Sequence, residues 1–159
     1  MSNFLTDEIR AAIAPKGRTL LITIGNPLRA DDGLGPFVGE QVRFKFPGHS
    51  VINAYTTPEN IAQTAIDFKP EKIVLLDAAR FGGRPGELRI IPLERINQAA
   101  VISTHSFPLS VTFSVVREDT GAELVALGVE PASMEYGEGL TPAVKESALS
   151  LIQYFNNIE

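Results

Sequence analysis

Paired aspartates stand in the loop of residues 25–35 (GNPLRADDGLG), which directly follows the apolar run 20–24. A strand that stops at a glycine and leads through a short loop into a helix places that loop at the carboxyl edge of an open α/β sheet, where such folds bind ligands. Asp32 is therefore a candidate for metal binding or general acid–base chemistry. Asp31 has two open interpretations: chemistry, or the ordinary role of accepting hydrogen bonds from the first amides of the helix.

Two further side chains carry suitable chemistry. Asp77 follows the apolar run 72–76, which is typical of a strand buried on both faces, although an aspartate there also serves simply to satisfy loop amides. His105 is one of only two histidines, and a single histidine is more often structural than catalytic. Together, Asp32, Asp77 and His105 would supply two carboxylates and one imidazole. Such a set can hold a divalent metal with coordination positions left open.

Several other chemistries are excluded by the residue types present. The loop after the first strand matches neither a dinucleotide fingerprint nor a phosphate-binding P-loop. The chain has no cysteine, which rules out a cysteine nucleophile, disulfides and cysteine-based zinc sites. It also has no G-x-S-x-G nucleophile elbow and no H-E-x-x-H zinc motif.

The elements that must position these residues alternate between strand and helix along the chain. That alternation predicts a three-layer α/β/α sandwich around a mostly parallel five-stranded sheet. A short glycine-rich connection before residues 87–91 predicts an edge strand antiparallel to its predecessor. The predicted strands are 19–25, 51–55, 72–78, 87–91 and 123–129; the predicted helices are 37–44, 58–68, 109–118 and one that starts at Thr141–Pro142 with Thr141 as its N-cap.

The length and charge of the chain limit its number of domains and its possible partners. We expect one domain over residues 1–159, with residues 1–17 as a helical extension that carries no chemistry. The net charge of −5, without a basic cluster, argues against nucleic acid or an anionic membrane as partner. The sequence has no apolar run of membrane-spanning length and no secretory signal pattern, so we expect a cytoplasmic protein without membrane insertion.

Several other residues have smaller expected roles. Gly33 and Gly35 are expected to allow a positive φ or a close backbone approach. The loop of residues 134–139 is either a mobile rim over the site or an ordinary surface loop. Glu59 is expected to favour the start of its helix, and His49 to lie in a surface turn.

These separated motifs resemble those of the hydrogenase-maturation endopeptidases, which trim the C-terminal tail from the large-subunit precursor of nickel–iron hydrogenases. The loop from Gly25 to Gly35 resembles the first family motif, Asp77 the second and Thr104–His105 the third. The resemblance runs from about residue 20 to the C-terminus. The branch that processes hydrogenases of the formate-hydrogenlyase type is the most similar, on stretches 57–60, 85–91, 127–131 and 140–142.

The resemblance implies a function that the spacing alone does not define. It implies an endopeptidase of aspartic type in which Asp32, Asp77 and His105 contact a metal. Some relatives carry glutamate at the position of Asp32, which preserves the carboxylate. The metal is nickel already inserted into the precursor, so it arrives with the substrate and acts as a checkpoint before cleavage. The expected partner is that precursor, and the expected acting form is a monomer.

Two alternatives remain open from sequence. One is a noncatalytic metal- or nucleotide-binding module on the same sheet, and the other is a hydrolase that uses the two aspartates without nickel. The activation of water is likewise open between an aspartate as general base and polarisation by the metal.

Overall fold

A single five-stranded sheet organises the computed structural model, which describes residues 4–95 and 109–158. The strand order is β2-β1-β3-β5-β4; neighbouring strands are parallel except β4 and β5, which are antiparallel. The strands are β1 (Thr19–Ile24), β2 (His49–Tyr55), β3 (Lys72–Ala78), β4 (Leu88–Ile91) and β5 (Glu123–Val129).

Helices cover both faces of this sheet, as the parallel strands require. They are α1 (Asp7–Ile13), α2 (Leu34–Gln41), α3 (Ala62–Phe68), α4 (Leu109–Thr120) and α5 (Pro142–Asn156), together with the short 3-10 helices Ala30–Gly33, Pro58–Ile61 and Leu93–Arg95. Among the helices within residues 4–95 and 109–158, none combines the length and the apolarity that crossing a bilayer requires.

Alternating side chains of the central strands divide the core into two layers. Val74 and Leu76 of β3 pack into the cluster that includes α1, α2 and α5. Ile73 and Leu75 of the same strand pack into the cluster that includes α3 and α4. Because successive side chains of a strand point to opposite faces, Asp77 shares the face of Ile73 and Leu75, towards α3 and α4. The predicted three-layer architecture is confirmed.

The amino edge of the sheet is fastened by a buried lysine. Lys72 donates hydrogen bonds from Nζ to the carbonyl oxygens of Ala12 and Ala14, each at 2.7 Å. Its ammonium also lies 3.2 Å from the Glu123 carboxylate. Because a buried cation needs such partners, Lys72 ties the end of α1 to the start of β3. The predicted N-terminal helix is therefore present, and Ile9 and Ile13 join it to the core.

Three details differ from the predicted elements. Helix α2 covers 34–41 rather than 37–44, because Pro36 fits the first helical turn, where its missing amide costs no hydrogen bond. The predicted helix 58–68 is divided into a 3-10 turn followed by α3. Strand β4 lies at an edge and runs antiparallel to its predecessor β3, as predicted, but β5 lies between the two and is the strand with which β4 pairs.

The approach of α2 to β1 depends on glycine. A Cβ atom on Gly35 would lie 2.2 Å from the carbonyl oxygen of Ile24, and one on Gly25 would lie 2.0 Å from that of Asp32. Both carbonyls belong to the backbone and cannot rotate away. The close-approach interpretation of Gly35 is thus confirmed, and this contact holds the loop with the aspartates against the end of β1.

Gly35→Ala should lower the free energy of unfolding by about 2 kcal/mol or more, because the added methyl overpacks a backbone contact. Gly48→Ala is the matched control, since a Cβ there meets nothing within 4 Å. Denaturant unfolding of both variants checks the prediction. Equal stabilities for the two variants would contradict the close-packing account.

Candidate functional site

Asp32 lies in a tight turn at the carboxyl end of β1. The turn is the 3-10 helix Ala30–Gly33, entered through Ala30 at a φ of 46°. The amide of Asp32 donates to the carbonyl of Arg29 at 3.0 Å. The carboxylate of Asp32 is buried and accepts a hydrogen bond at Oδ2 from the Asn26 amide at 3.2 Å. The backbone of the loop thus holds this acid inside the protein.

Asp77 meets Asp32 at the same edge. Strand β3 lies between β1 and β5, with Leu76 paired to Thr23 and Asp77 paired to Gly128. Burial raises the pKa of Asp77 well above its ordinary value, and the negative charge of Asp32 raises it further, while the nearby Ala78 amide acts in the opposite direction. The charge of Asp32 thus acts on the Asp77 carboxyl, so the loop and the strand end bring the two acids near each other.

The Asp77 carboxyl is buried, and the nearby Ala78 amide does not reach hydrogen-bonding geometry with it. Neither of its oxygens has a hydrogen-bond partner among the described residues, which argues against the loop-capping interpretation. A buried carboxylate with open acceptor sites is suited to a cation, and carboxylates are ordinary ligands of divalent metals. Its chemistry therefore fits a metal brought to this edge.

The third predicted ligand, His105, lies outside the described residues; α4 begins four positions later, at Leu109. Over residues 4–95 and 109–158, no group of three or more histidine, aspartate or glutamate side chains is placed to hold a metal. Asp32 and Asp77 are thus a pair of acids at this edge, with no third such side chain grouped with them among those residues.

Asp31 has a different role from its neighbour. Its buried carboxylate accepts hydrogen bonds from the amides of Ala132, Ser133 and Thr141 and from the Thr141 hydroxyl, at 2.8–3.0 Å. These donors lie about a hundred positions along the chain, so Asp31 does not cap its own helix. It fixes the loop between β5 and α5 against the loop after β1. We call this set of bonds the Asp31 latch.

The predicted N-cap of α5 takes part in that latch. Thr141 occupies the N-cap position and Pro142 follows it, as the sequence indicates, but the Thr141 side chain makes no capping bond within its own helix. Its hydroxyl donates to Asp31 instead. Sequence could identify the helix start, but a contact over 110 positions leaves no local pattern.

The same two loops pair through their backbones. The Gly137 amide donates to the carbonyl of Leu28, and the Ala30 amide donates to the carbonyl of Gly137, both at 2.8 Å. Arg29, which the sequence did not single out, places its guanidinium carbon 5.7 Å from the centre of the Tyr136 ring. Residues 134–139 therefore form part of the site's rim, fastened to the loop of the aspartates.

A cavity of about 330 Å³ opens beside these loops and the first turns of α2. Its wall is largely apolar, and Glu40, Glu138 and Lys145 supply charged groups. Gly33, next to Asp32 in the chain, lines it. The complete lining is Pro27, Ala30, Gly33, Pro36, Phe37, Glu40, Glu138, Gly139, Leu140 and Lys145.

Two other residues from the sequence analysis are placed by the structure. Glu59 lies in the 3-10 turn that follows β2, and its buried Oε2 has no hydrogen-bond partner within the described part of the chain. His49 starts β2 at the opposite edge of the sheet, half-buried, with its ring 5.5 Å from that of Phe44 and 5.4 Å from that of Phe46. His49 is therefore a packing residue rather than part of a simple surface turn.

The fold and these acids define an α/β protein that places its functional groups at the carboxyl edge of a mostly parallel sheet. Comparison with known proteins narrows that class. The model of the hydrogenase maturation protease family, HycI, matches residues 40–157. The chain therefore belongs to the hydrogenase maturation protease family, whose members are hydrolases.

The sequences of individual relatives match this chain along most of its length. It is 30% identical over 135 residues to the hydrogenase 3 maturation protease of Escherichia coli K12, with 84% of this chain and 86% of that protein covered. It is 29% identical over 145 residues to a putative hydrogenase maturation protease of Methanocaldococcus jannaschii, covering 86% and 83%. These matches agree with the formate-hydrogenlyase branch indicated by the sequence.

A solved structure shows the same architecture. The crystal structure of the nickel–iron hydrogenase maturation protease HycI from Thermococcus kodakarensis KOD1 superposes with a TM-score of 0.82 at 31% identity. The superposition covers 96% of this chain and 98% of that one. The five-stranded mixed sheet with its covering helices is thus the fold of this family.

The Asp31 latch predicts a stability difference. In Asp31→Asn, the side-chain NH2 group faces backbone N–H donors where the wild type has a carboxylate oxygen. We therefore expect the free energy of unfolding to fall by about 2 to 3 kcal/mol. Thr141→Val removes the hydroxyl alone and should cost about 1 kcal/mol, while Thr141→Ser keeps the donor and serves as the control. Denaturant unfolding measures all three. Wild-type stability in Asp31→Asn would show that the latch contributes nothing.

The raised pKa of Asp77 predicts a pH-dependent stability. The folded protein retains a proton on this carboxyl at pH values where the unfolded chain, with a pKa of about 3.9, has released it. The resulting stabilisation is complete below the unfolded pKa and is lost as pH rises through the folded pKa. Asp77→Asn should therefore exceed wild type in stability above that folded pKa, by on the order of 1 kcal/mol.

Denaturant unfolding across a pH series tests this point. The advantage of Asp77→Asn should grow as pH rises, whereas Asp119→Asn, a change of an exposed acid on α4, should track the wild type. An advantage that does not vary with pH would contradict ionisation of a buried Asp77 as its cause.

Proposed function

We propose that this protein is an endopeptidase that removes the C-terminal tail from the large-subunit precursor of a nickel–iron hydrogenase after nickel insertion. Membership of the hydrogenase maturation protease family supports the reaction class. The observation that carries the assignment to this site is the buried Asp77 carboxyl, which meets Asp32 at the sheet edge and lacks a hydrogen-bond partner among the described residues.

Nickel enters this proposal as part of the substrate. Asp32 and Asp77 contribute carboxylate oxygens to it, and His105, which resembles the third family motif, contributes an imidazole. Imidazole and carboxylates suit a borderline divalent metal whose other ligands are thiolates of the precursor. A precursor without nickel lacks those bonds, so the two acids distinguish a loaded substrate from an empty one.

The electrostatics of the acid pair favour binding of the nickel-loaded precursor before cleavage. In the free protein, a proton on Asp77 relieves the repulsion from Asp32 and the cost of burial. An arriving cation stabilises the ionised form and displaces that proton. Binding of the loaded precursor therefore creates a charged carboxylate at the moment when cleavage must begin.

We assign the cleavage to an aspartic-type mechanism, in which one of the two carboxylates takes a proton from the attacking water. A carboxylate that lies beside the attacking water can accept its proton as a general base. Polarisation of water or of the scissile carbonyl by the substrate's nickel is the competing route. Substitution of the carboxylate base should abolish the acidic limb of the pH–kcat profile, where protonation of that carboxylate lowers the rate, in the first route only.

The setting of the reaction follows from the proposed substrate. A precursor that awaits removal of its tail before assembly places the protease in the cytoplasm, and one protein chain supplies all three proposed metal-contacting side chains. We therefore infer a cytoplasmic monomer without a nucleic-acid partner. The net charge of −5, without a basic cluster, argues against a nucleic-acid partner.

The decisive experiment is cleavage of the purified cognate precursor, nickel-loaded or nickel-free, by the wild type and by single variants. We expect tail removal only from the loaded precursor. Asp32→Asn, Asp77→Asn and His105→Ala should each lower the rate by roughly 100-fold or more, since general-base and charge-stabilising groups contribute at that scale. Mass spectrometry of the released tail measures the rate and identifies the bond.

Asp119→Asn is the matched control for the aspartate variants, and it should cleave at the wild-type rate. Equal cleavage with and without nickel would leave a peptidase without the checkpoint. Failure of the wild type to cleave a verified loaded precursor, combined with tight binding of it, would favour a noncatalytic module instead.

A further inference from the structure

An exposed surface at the tips of the two latched loops has no role in the reaction described above. It consists of Leu28, Arg29 and Tyr136, and we call it the loop-tip surface. Leu28 is 56% exposed and Tyr136 is 85% exposed, both unusually high for large apolar side chains. Arginine and tyrosine are also the residue types enriched where protein partners bind most strongly.

The backbone beneath this surface is fixed in advance. The amide of Gly137 and the carbonyl of Leu28 are hydrogen-bonded at 2.8 Å, and Arg29 and Gly137 form a parallel β-bridge. The Asp31 latch holds the following residues of both loops. A partner that binds here meets a preorganised surface, which reduces the entropy lost on binding.

The charge of Arg29 is the most specific feature of the surface. Its guanidinium faces the Tyr136 ring, and its buried Nε has no hydrogen-bond partner within residues 4–95 and 109–158. The arginines at positions 18 and 89, which face Phe68 and Phe81, donate hydrogen bonds as well. Arg29 thus has no ion-pair partner among these residues, and its planar guanidinium suits a carboxylate.

We propose that the loop-tip surface is a docking site for the hydrogenase precursor, in which Arg29 pairs with a carboxylate of the precursor and Leu28 and Tyr136 contact an adjacent apolar side chain. This inference rests on the proposed function for the identity of the partner. Arg29 lies three residues before Asp32 and accepts its amide hydrogen at the carbonyl oxygen. The loop-tip surface therefore lies on the same loop as Asp32, which the precursor must reach in the proposed function.

Charge complementarity determines the kind of segment that fits. The site itself is acidic, with Asp32 and Asp77 at its centre and Glu59 in the neighbouring turn. A basic segment is attracted to those groups, whereas the unpaired Arg29 attracts an acidic one. Glu135 and Glu138 flank Tyr136 and disfavour a strongly acidic segment, so the surface suits a segment of the precursor with one carboxylate beside an apolar side chain, outside its metal-binding part. Contact there does not require nickel.

The test measures equilibrium binding of the nickel-free precursor, which the proposed checkpoint leaves uncleaved. Arg29→Glu should weaken binding roughly 10-fold or more, and Tyr136→Ala roughly fivefold. Arg29→Lys should retain part of the affinity, and added salt should weaken the wild type more than Arg29→Glu. Thermal unfolding should be unchanged, because the backbone pairing does not use these side chains.

Arg10→Glu is the matched control, since Arg10 faces Tyr154 at the same 5.7 Å but lies on α1. Its affinity should remain within twofold of the wild type. For the nickel-loaded precursor, Arg29→Glu should raise KM by a similar factor and leave kcat unchanged. That pattern separates docking from any effect on the reacting groups.

Several outcomes overturn the docking proposal. One is unchanged binding in both Arg29→Glu and Tyr136→Ala, and another is no measurable binding of the precursor by the wild type. A dimer of this chain that Arg29→Glu dissociates would assign the surface to a second copy. Cleavage of the nickel-free precursor, or none of the loaded one, contradicts the proposed function while the binding comparison still decides the docking proposal.

Discussion

The carboxylate of Asp31 is the interaction on which the geometry of the site depends. It is fully buried and accepts hydrogen bonds from residues more than a hundred positions away, at the start of α5 and in the loop before it. A buried charge is tolerable only with such partners, and these partners are backbone amides that would otherwise lack acceptors. One side chain thereby fixes two loops, and the turn that carries Asp32 lies directly beside it.

Asp31 and Asp77 differ in how the cost of burying a carboxyl group is offset. The Asp31 carboxylate accepts hydrogen bonds from three backbone amides and one hydroxyl, supplied by three residues, and these offset the cost of its burial. Asp77 is buried without a partner among the described residues, and its raised pKa reflects that cost. Proteins retain such unfavourable groups at functional sites, where a ligand supplies the missing interaction. The contrast separates the structural Asp31 from Asp77, for which we propose a functional role.

Much of this arrangement could be predicted from sequence, because it depends on patterns of residues that are close together in the chain. Strands β3 and β5 have the predicted bounds because buried parallel strands read as continuous apolar runs that end at a polar residue or proline. The position of Asp32 and Asp77 at one edge follows from the topology of parallel strands. The role of His105 stays a prediction, since that residue lies outside the described part of the chain.

What the sequence could not predict is set by contacts between distant segments. The latch joins Asp31 to Thr141, and the backbone pairing joins Leu28 to Gly137; neither leaves a periodic pattern or a motif. The predicted start of α2 is three residues too late, because Pro36 in the sequence is as typical of a loop as of a first helical turn. The unpaired state of Arg29 likewise depends on its three-dimensional neighbours.

The central claim is that Asp32 and Asp77 coordinate nickel that belongs to the substrate. X-ray absorption at the nickel edge tests it directly, on loaded precursor alone and on loaded precursor mixed with the protein and frozen within the first turnover. Our account predicts that oxygen ligands join the thiolate environment on mixing, and that fewer join with Asp77→Asn. A nickel environment unchanged by the wild-type protein would contradict the account.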